Sequence, residues 1–214
     1  MASSSSFCAR SLGLLWLLYL CVTAHAACTD TFQNCTPENA AEAGNLEPVP
    51  LFDTAAVYAG ASARQDSPTL AQIRNTLSLY PLAVDGKNFD LLRNVFFQDA
   101  IANYSAPLNI LTPLPVIEKA LAAALASVTT QHLLGTQVVE LSPGGRKAKA
   151  LTYFTATHFG KNQYEGQILQ AYGQYQDILA KDKDSSWKIQ IRNLQYMVGL
   201  AVSGIRAPQK ITCG

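Results

Sequence analysis

The sequence predicts an α+β fold in which helices come first, a β-meander follows, and the curved sheet encloses an internal cavity. Two observations carry this. From Leu70 to Val84 the apolar residues recur at helical spacing and the stretch from Pro113 to Ser127 is rich in Ala and Leu, whereas from 131 onward the period changes to that of strands. The second half is also punctuated by hairpin material: Pro143-Gly144-Gly145, Gly160-Lys161-Asn162 and the run from Lys181 to Ser186. Three helices packed on a strongly curved antiparallel sheet make a cone. The chain is 214 residues long, enough for one such domain with a full core.

Residues 1–26 read as a secretory signal peptide, with Arg10 as the charged region, Leu12 to Val22 as the apolar core and Ala24-His25-Ala26 as the cleavage site. That apolar run is too short for a transmembrane helix, which needs about 20 residues. The mature chain would begin at Ala27. Residues 27–65 lack periodicity and read as an extended arm or linker. A helix is expected from Ser67-Pro68, capped by Asp66 or Ser67, with the stripe Leu70, Ile73, Leu77 and Val84 and a kink at Pro81. Asp85-Gly86-Lys87-Asn88 ends it. A short helix follows over Phe89 to Val95, then a strand over Ala100 to Tyr104. Thr112-Pro113 would cap a third helix reaching Ser127. Four strands complete the domain: Gln131 to Leu141, Lys147 to Phe159, Gln167 to Leu179 and Trp187 to Val198. The domain therefore spans 66–199, and 200–214 is a C-terminal tail.

Charge excludes some partners. The chain has 16 Lys and Arg against 15 Asp and Glu, and the leader carries Arg10 and no acid, so the mature chain is balanced. Neither nucleic acid nor an anionic membrane has an electrostatic claim on it. Cys28, Cys35 and Cys213 survive processing, and in an oxidising compartment two of the three should pair, either Cys213 with Cys28 or Cys35, or those two with each other. Asn34 and Asn103 head N-glycosylation sequons. The expected location is extracellular or the secretory lumen.

Outside the leader the chain has two histidines. They lie in Thr130-Gln131-His132-Leu133-Leu134-Gly135 and Thr155-Ala156-Thr157-His158-Phe159, on consecutive predicted strands. With the turn centred on Gly145, paired residue numbers total 290, so His132 and His158 would face each other across the hairpin on one side of the sheet. Imidazoles titrate near neutrality, and two on one face point to proton transfer or metal binding. An aspartate bonded to one ring nitrogen would fix the tautomer and leave the other nitrogen as a base. A second histidine could protonate a leaving hydroxyl, and a tyrosine could polarise a carbonyl. Two histidines and a carboxylate could also form a facial triad, but nothing else in the motif asks for a redox metal, and none is expected.

Thr130-Gln131-His132, His158 at the end of the next strand, and Asp85 within Asp-Gly-Lys-Asn-Phe-Asp-Leu-Leu resemble scytalone dehydratase and, more broadly, the SnoaL-like group of the NTF2-like superfamily. The resemblance covers about 66 to 199 and implies the NTF2-like cone. It also implies a cofactor-independent lyase or cyclase, with Asp85, His132, His158 and Tyr104 as catalytic residues. Val84, Gln170 and Tyr172 would contact substrate. Val84 stands where the dehydratase has a second tyrosine, and Tyr172 where it has an asparagine. Fungal relatives of this kind dehydrate hydroxylated polyketides or phenol-like compounds to enones or quinone methides, and some template cyclisation or Diels–Alder addition. A small-molecule substrate and a homo-oligomer, dimer or trimer, are expected. The alternative is a non-catalytic secreted module that binds an apolar small molecule.

Overall fold

The computed structural model describes residues 47–58 and 67–198. Residues 1–26, read as a signal peptide, lie outside the described residues, as do Asn34, Cys28, Cys35, Cys213 and everything beyond 198.

Helix α1 (Thr54–Tyr58) follows a 3-10 turn at Leu51–Asp53. Helix α2 runs Ser67–Asp85, then a 3-10 turn covers Phe89–Asn94, and helix α3 is Leu114–Ala124. The strands are β1 (Phe96–Asn103), β2 (Ile110–Leu111), β3 (Val128–Leu141), β4 (Lys147–Gly160), β5 (Ile168–Lys181) and β6 (Trp187–Tyr196). They form one sheet in the order β2-β1-β6-β5-β4-β3. The result is an α+β fold with a curved, unclosed sheet, as the sequence predicts.

Helix α2 buries Ile73, Leu77, Tyr80 and Val84, one residue per turn along a single stripe. Tyr80 fills the gap between Leu77 and Val84 in the stripe read from sequence. Helix α3 buries Leu114, Ile117 and Leu121. Its N-cap is Pro113, with no side-chain capping bond, so Thr112 does not serve as the cap. Small residues on the inner sheet face, among them Ala148, Ala150, Ala156 and Ala171, are buried and leave room for larger neighbours. Gly173 is needed for the same reason: a Cβ there would come within 2.8 Å of the Phe154 ring. Phe154 instead stacks on Tyr175, with centroids 4.3 Å apart.

Two features differ from the expectation. The sheet is mixed rather than purely antiparallel, because β1 pairs in parallel with β6. Strand β2, helix α3 and the first three strands of the meander separate these two strands in sequence, so no local signal marks the pairing. Residues 51–58, read as extended arm, are helical and packed. Gln176 holds Val49, just before this segment, by both backbone groups, its Oε1 accepting from the Val49 amide and its Nε2 donating to the Val49 carbonyl, each at 2.7 Å. Thr54 and Tyr58 are buried there, and burial is the largest cause pushing the Tyr58 hydroxyl up to about 12. Among the described residues no helix is long and apolar enough to cross a membrane.

Candidate active site

Asp85 closes α2, and its carboxylate reaches the backbone and the ring of His132 on β3. Oδ2 accepts the His132 amide at 2.8 Å, and Oδ1 lies 2.6 Å from His132 Nδ1. A carboxylate in the last turn of a helix opposes the macrodipole, typically by about 0.3–1 kcal/mol. Here the donors on β3 offset that cost. Burial alone would raise the Asp85 carboxyl, but the His132 ring and amide, the His132 charge and the Thr130 hydroxyl outweigh it and hold the group below its ordinary range. An ionised Asp85 accepts a hydrogen bond from the Nδ1–H of His132, which fixes the tautomer and leaves the Nε2 lone pair as the basic position. The His132 side chain is 8% exposed.

His158 stands beside it, with ring centroids 6.0 Å apart at 73°. The two are not directly opposed. His132 pairs with Ala156, and His158 pairs with Thr130. The turn centre accounts for half of the difference, because near the turn Leu141 pairs with Ala148 and residue numbers total 289. That register alone would send the imidazoles to opposite faces. A β-bulge between Leu134 and Gln137 then shifts the register by one more residue and returns both rings to one face. Burial first, and then the neighbouring His132, push the His158 imidazole down to about 4, so it is neutral near pH 7. Its Nδ1 is buried without a partner. A proton-charged His158 waiting to protonate a leaving group, as the sequence led us to expect, does not fit this environment. A neutral imidazole remains as a hydrogen-bonding wall.

Deeper in the fold lies a second polar group that the sequence did not reveal. Arg192 on β6 and Asp177 on β5 are cross-strand partners, 1% and 0% exposed, joined by two hydrogen bonds of 2.8 Å. Burial works against the guanidinium charge, but Asp177 more than restores it. The Arg192 Cζ lies 4.3 Å from the Tyr80 ring centroid and 4.2 Å from that of Tyr175. Tyr80 in turn sets its ring edge-on to His132 at 6.3 Å, which links the ion pair to the base. Tyr104 belongs to this inner group. Its hydroxyl is buried without a well-formed hydrogen bond near Tyr80 and Arg192, and burial raises it well above its ordinary value. The missed signals were one arginine and one aspartate in mid-strand, and the empty place at Tyr80 in the α2 stripe.

The remaining expected contacts do not join the site. Val84 is 0% exposed within the apolar core. Gln170 and Tyr172 pair with Thr157 and Thr155, which alternate with His158 and Ala156, so both lie on the opposite face of the sheet. The Tyr172 hydroxyl donates to Gln170 Oε1 there. A depression of about 200 Å³ on that side is lined by Leu133, Tyr153, Thr155, Tyr172 and Met197, among others. The resemblance misplaces these two residues because it sets the strand in the wrong alternation. Asn103 ends β1 beside buried Tyr104, half-exposed, with its Oδ1 accepting the Ser105 amide. Among the described residues no three His, Cys, Asp or Glu side chains are grouped to hold a metal ion.

Solved structures repeat this architecture. A Novosphingobium aromaticivorans protein provisionally assigned as a scytalone dehydratase matches with a TM-score of 0.55 at 22% identity, over 64% of this chain and 89% of its own. A hexachlorocyclohexane dehydrochlorinase, LinA type 2, gives 0.57 at 16% identity over 67% and 96%. ActVI-ORFA from Streptomyces coelicolor gives 0.52 at 13% over 61% and 98%. At these identities the likeness establishes the fold. No curated protein matches the sequence significantly. The SnoaL-like domain family matches residues 65–193, the segment that carries Asp85, His132, His158 and all of the curved sheet but the last three residues of β6, and the chain belongs to that family.

Proposed function

We propose that this chain is a small-molecule lyase or cyclase in which His132, oriented by Asp85, moves the proton. The observation that carries the reading is the double hold of Asp85 on His132, ring and backbone together, beside a second, neutral imidazole. In a β-hydroxy ketone His132 Nε2 takes the proton on the carbon next to the carbonyl, and in a hydroxymethyl phenol it takes the phenolic proton. Asp85 stabilises the resulting imidazolium, and His132 returns the proton to the departing hydroxyl. Water leaves, a conjugated enone or quinone methide forms, and the base is regenerated. No oxidant or cofactor is consumed. His158 is suited to hold the departing oxygen. The solved structures of a dehydrochlorinase and of a provisional dehydratase on the same fold support elimination as the reaction class.

A reactive product of this kind could go on to a templated cyclisation, including Diels–Alder addition, with orientation supplying much of the rate. Hydroxylated polyketides are the proposed substrates, and a secreted or lumenal enzyme is the proposed setting. The test is to offer hydroxylated polyketides to the wild type and to His132→Ala and to follow the loss of water by mass. Loss of turnover in the variant is expected. Retained ligand binding without any turnover in the wild type would favour the binding-module alternative.

A further inference from the structure

Lys87 occupies a position where a helix normally ends in glycine. The Asn88 amide bonds the Ala83 carbonyl at 2.9 Å and the Lys87 amide bonds the Val84 carbonyl at 3.3 Å, the paired bonds of a Schellman turn. Lys87 is the left-handed residue of that turn, with φ 56°. Glycine is available one position earlier, but Gly86 is needed for space, because a Cβ there would sit 2.8 Å from the Leu82 carbonyl oxygen. A side chain with a Cβ is therefore held in a conformation it disfavours. A strained residue of this kind asks what its side chain does.

The side chain does not return to the helix carbonyls. It is half-buried, and its Nζ donates to Thr130 Oγ1 at 3.1 Å. Thr130 is the cross-strand partner of His158 and also bonds Asp85. A polar chain thus runs from Lys87 through Thr130 and Asp85 to His132. The charged groups acting on Lys87 are Asp85 and Lys161, so two cations face one carboxylate beside two imidazoles. An ammonium carries three donors, and Thr130 takes one. The surplus is positive, and the remaining donors of this half-buried side chain lie beside the Asp85–His132 pair.

We propose that Lys87 anchors the substrate through an acidic oxygen, a phenol or enol hydroxyl bound as its anion, next to the Asp85–His132 pair. This rests on the acid–base reading above and narrows its substrate class. The probes are 4-nitrophenol, whose ionised form is followed by absorbance, and nitrobenzene as its neutral counterpart. The wild type should bind 4-nitrophenolate in preference to nitrobenzene and ionise the bound phenol at lower pH than in solution. Lys87→Met should cut that preference about ten-fold, the usual worth of a charged hydrogen bond, and leave nitrobenzene binding unchanged. Lys87→Arg should restore most of it. Lys87→Gly relieves the left-handed backbone, so it separates loss of the ammonium from any folding defect and should match Lys87→Met. His132→Ala should keep the phenolate preference even if it abolishes turnover, so the two readings fail separately. An equal preference in wild type and Lys87→Met, or no phenolate binding by the wild type at millimolar concentration, overturns the proposal.

Discussion

Asp85 grips His132 at two points, the ring Nδ1 at 2.6 Å and the backbone amide at 2.8 Å, so one carboxylate sets both the tautomer of the base and the position of its strand. The first contact serves chemistry and the second serves placement. Asp85→Asn keeps the shape but has one acceptor oxygen in place of two. It should lower turnover roughly 10²–10⁴-fold, the usual worth of a positioned acid or base. Steady-state kinetics should put the loss in kcat more than in KM. A loss confined to KM would make Asp85 a structural anchor only.

The depressed His158 gives a pH signature. Its folded-state value is about 4 against 6.5 when unfolded, so the unfolded chain takes up this proton first as the pH falls. The stability it contributes is complete above 6.5 and is lost between about 6.5 and 4. The gap corresponds to about 3 kcal/mol. His158→Gln lacks this titration, so the difference in urea midpoint between wild type and variant should change steadily from pH 7 to pH 4.5, with the wild type losing more. Parallel curves would show that His158 is not held neutral by its burial.

Removing one partner of the Arg192–Asp177 pair should cost about 3–5 kcal/mol, because the other charge stays buried and unpaired. Asp177→Asn and Arg192→Met should both lower the unfolding midpoint, while the double change Asp177→Leu with Arg192→Met should recover much of the loss. If the single and double variants are equally destabilised, the pair is not the source. Because Tyr80 connects Arg192 to His132, the recovered double variant should still turn over more slowly than the wild type.

The helical half, the four meander strands and the Asp85, His132 and His158 set were all legible, because each rests on local periodicity or on one resemblance spanning the domain. The histidine pairing was right in its face and wrong in its partners. A turn centre and a bulge each moved the register by one residue, and bulges leave no reliable mark in sequence. Gln170 and Tyr172 fell on the wrong side for the same kind of reason, a parity that only the pairing with β4 decides. The Arg192–Asp177 pair and its tyrosines were invisible because the contact joins different strands and a helix. The proton-donor role given to His158 ignored burial, which sequence does not state.

The secretory features make a separate prediction. The mature protein should begin at Ala27, carry N-glycan at Asn103 and hold one disulfide between Cys213 and either Cys28 or Cys35. In the chain-entropy picture a loop of that length would stabilise by about 5 kcal/mol. Intact mass before and after glycosidase, followed by non-reducing peptide mapping, reads all three. An unchanged mass with the leader retained would remove the secretory reading, and a free Cys213 would refute the cross-link.

The central claim is that His132 moves the proton, and the most direct measurement compares two substrates on one variant. A hydroxylated polyketide and its already dehydrated counterpart are given to the wild type and to His132→Ala, and product formation is followed by mass. The reading expects His132→Ala to lose roughly 10²–10⁴-fold on the hydroxylated compound. On the dehydrated compound it should retain most of its activity, where only templating by the fold is left to contribute. Equal rates of water loss in wild type and His132→Ala would contradict it and leave binding, rather than acid–base chemistry, as the function of the site.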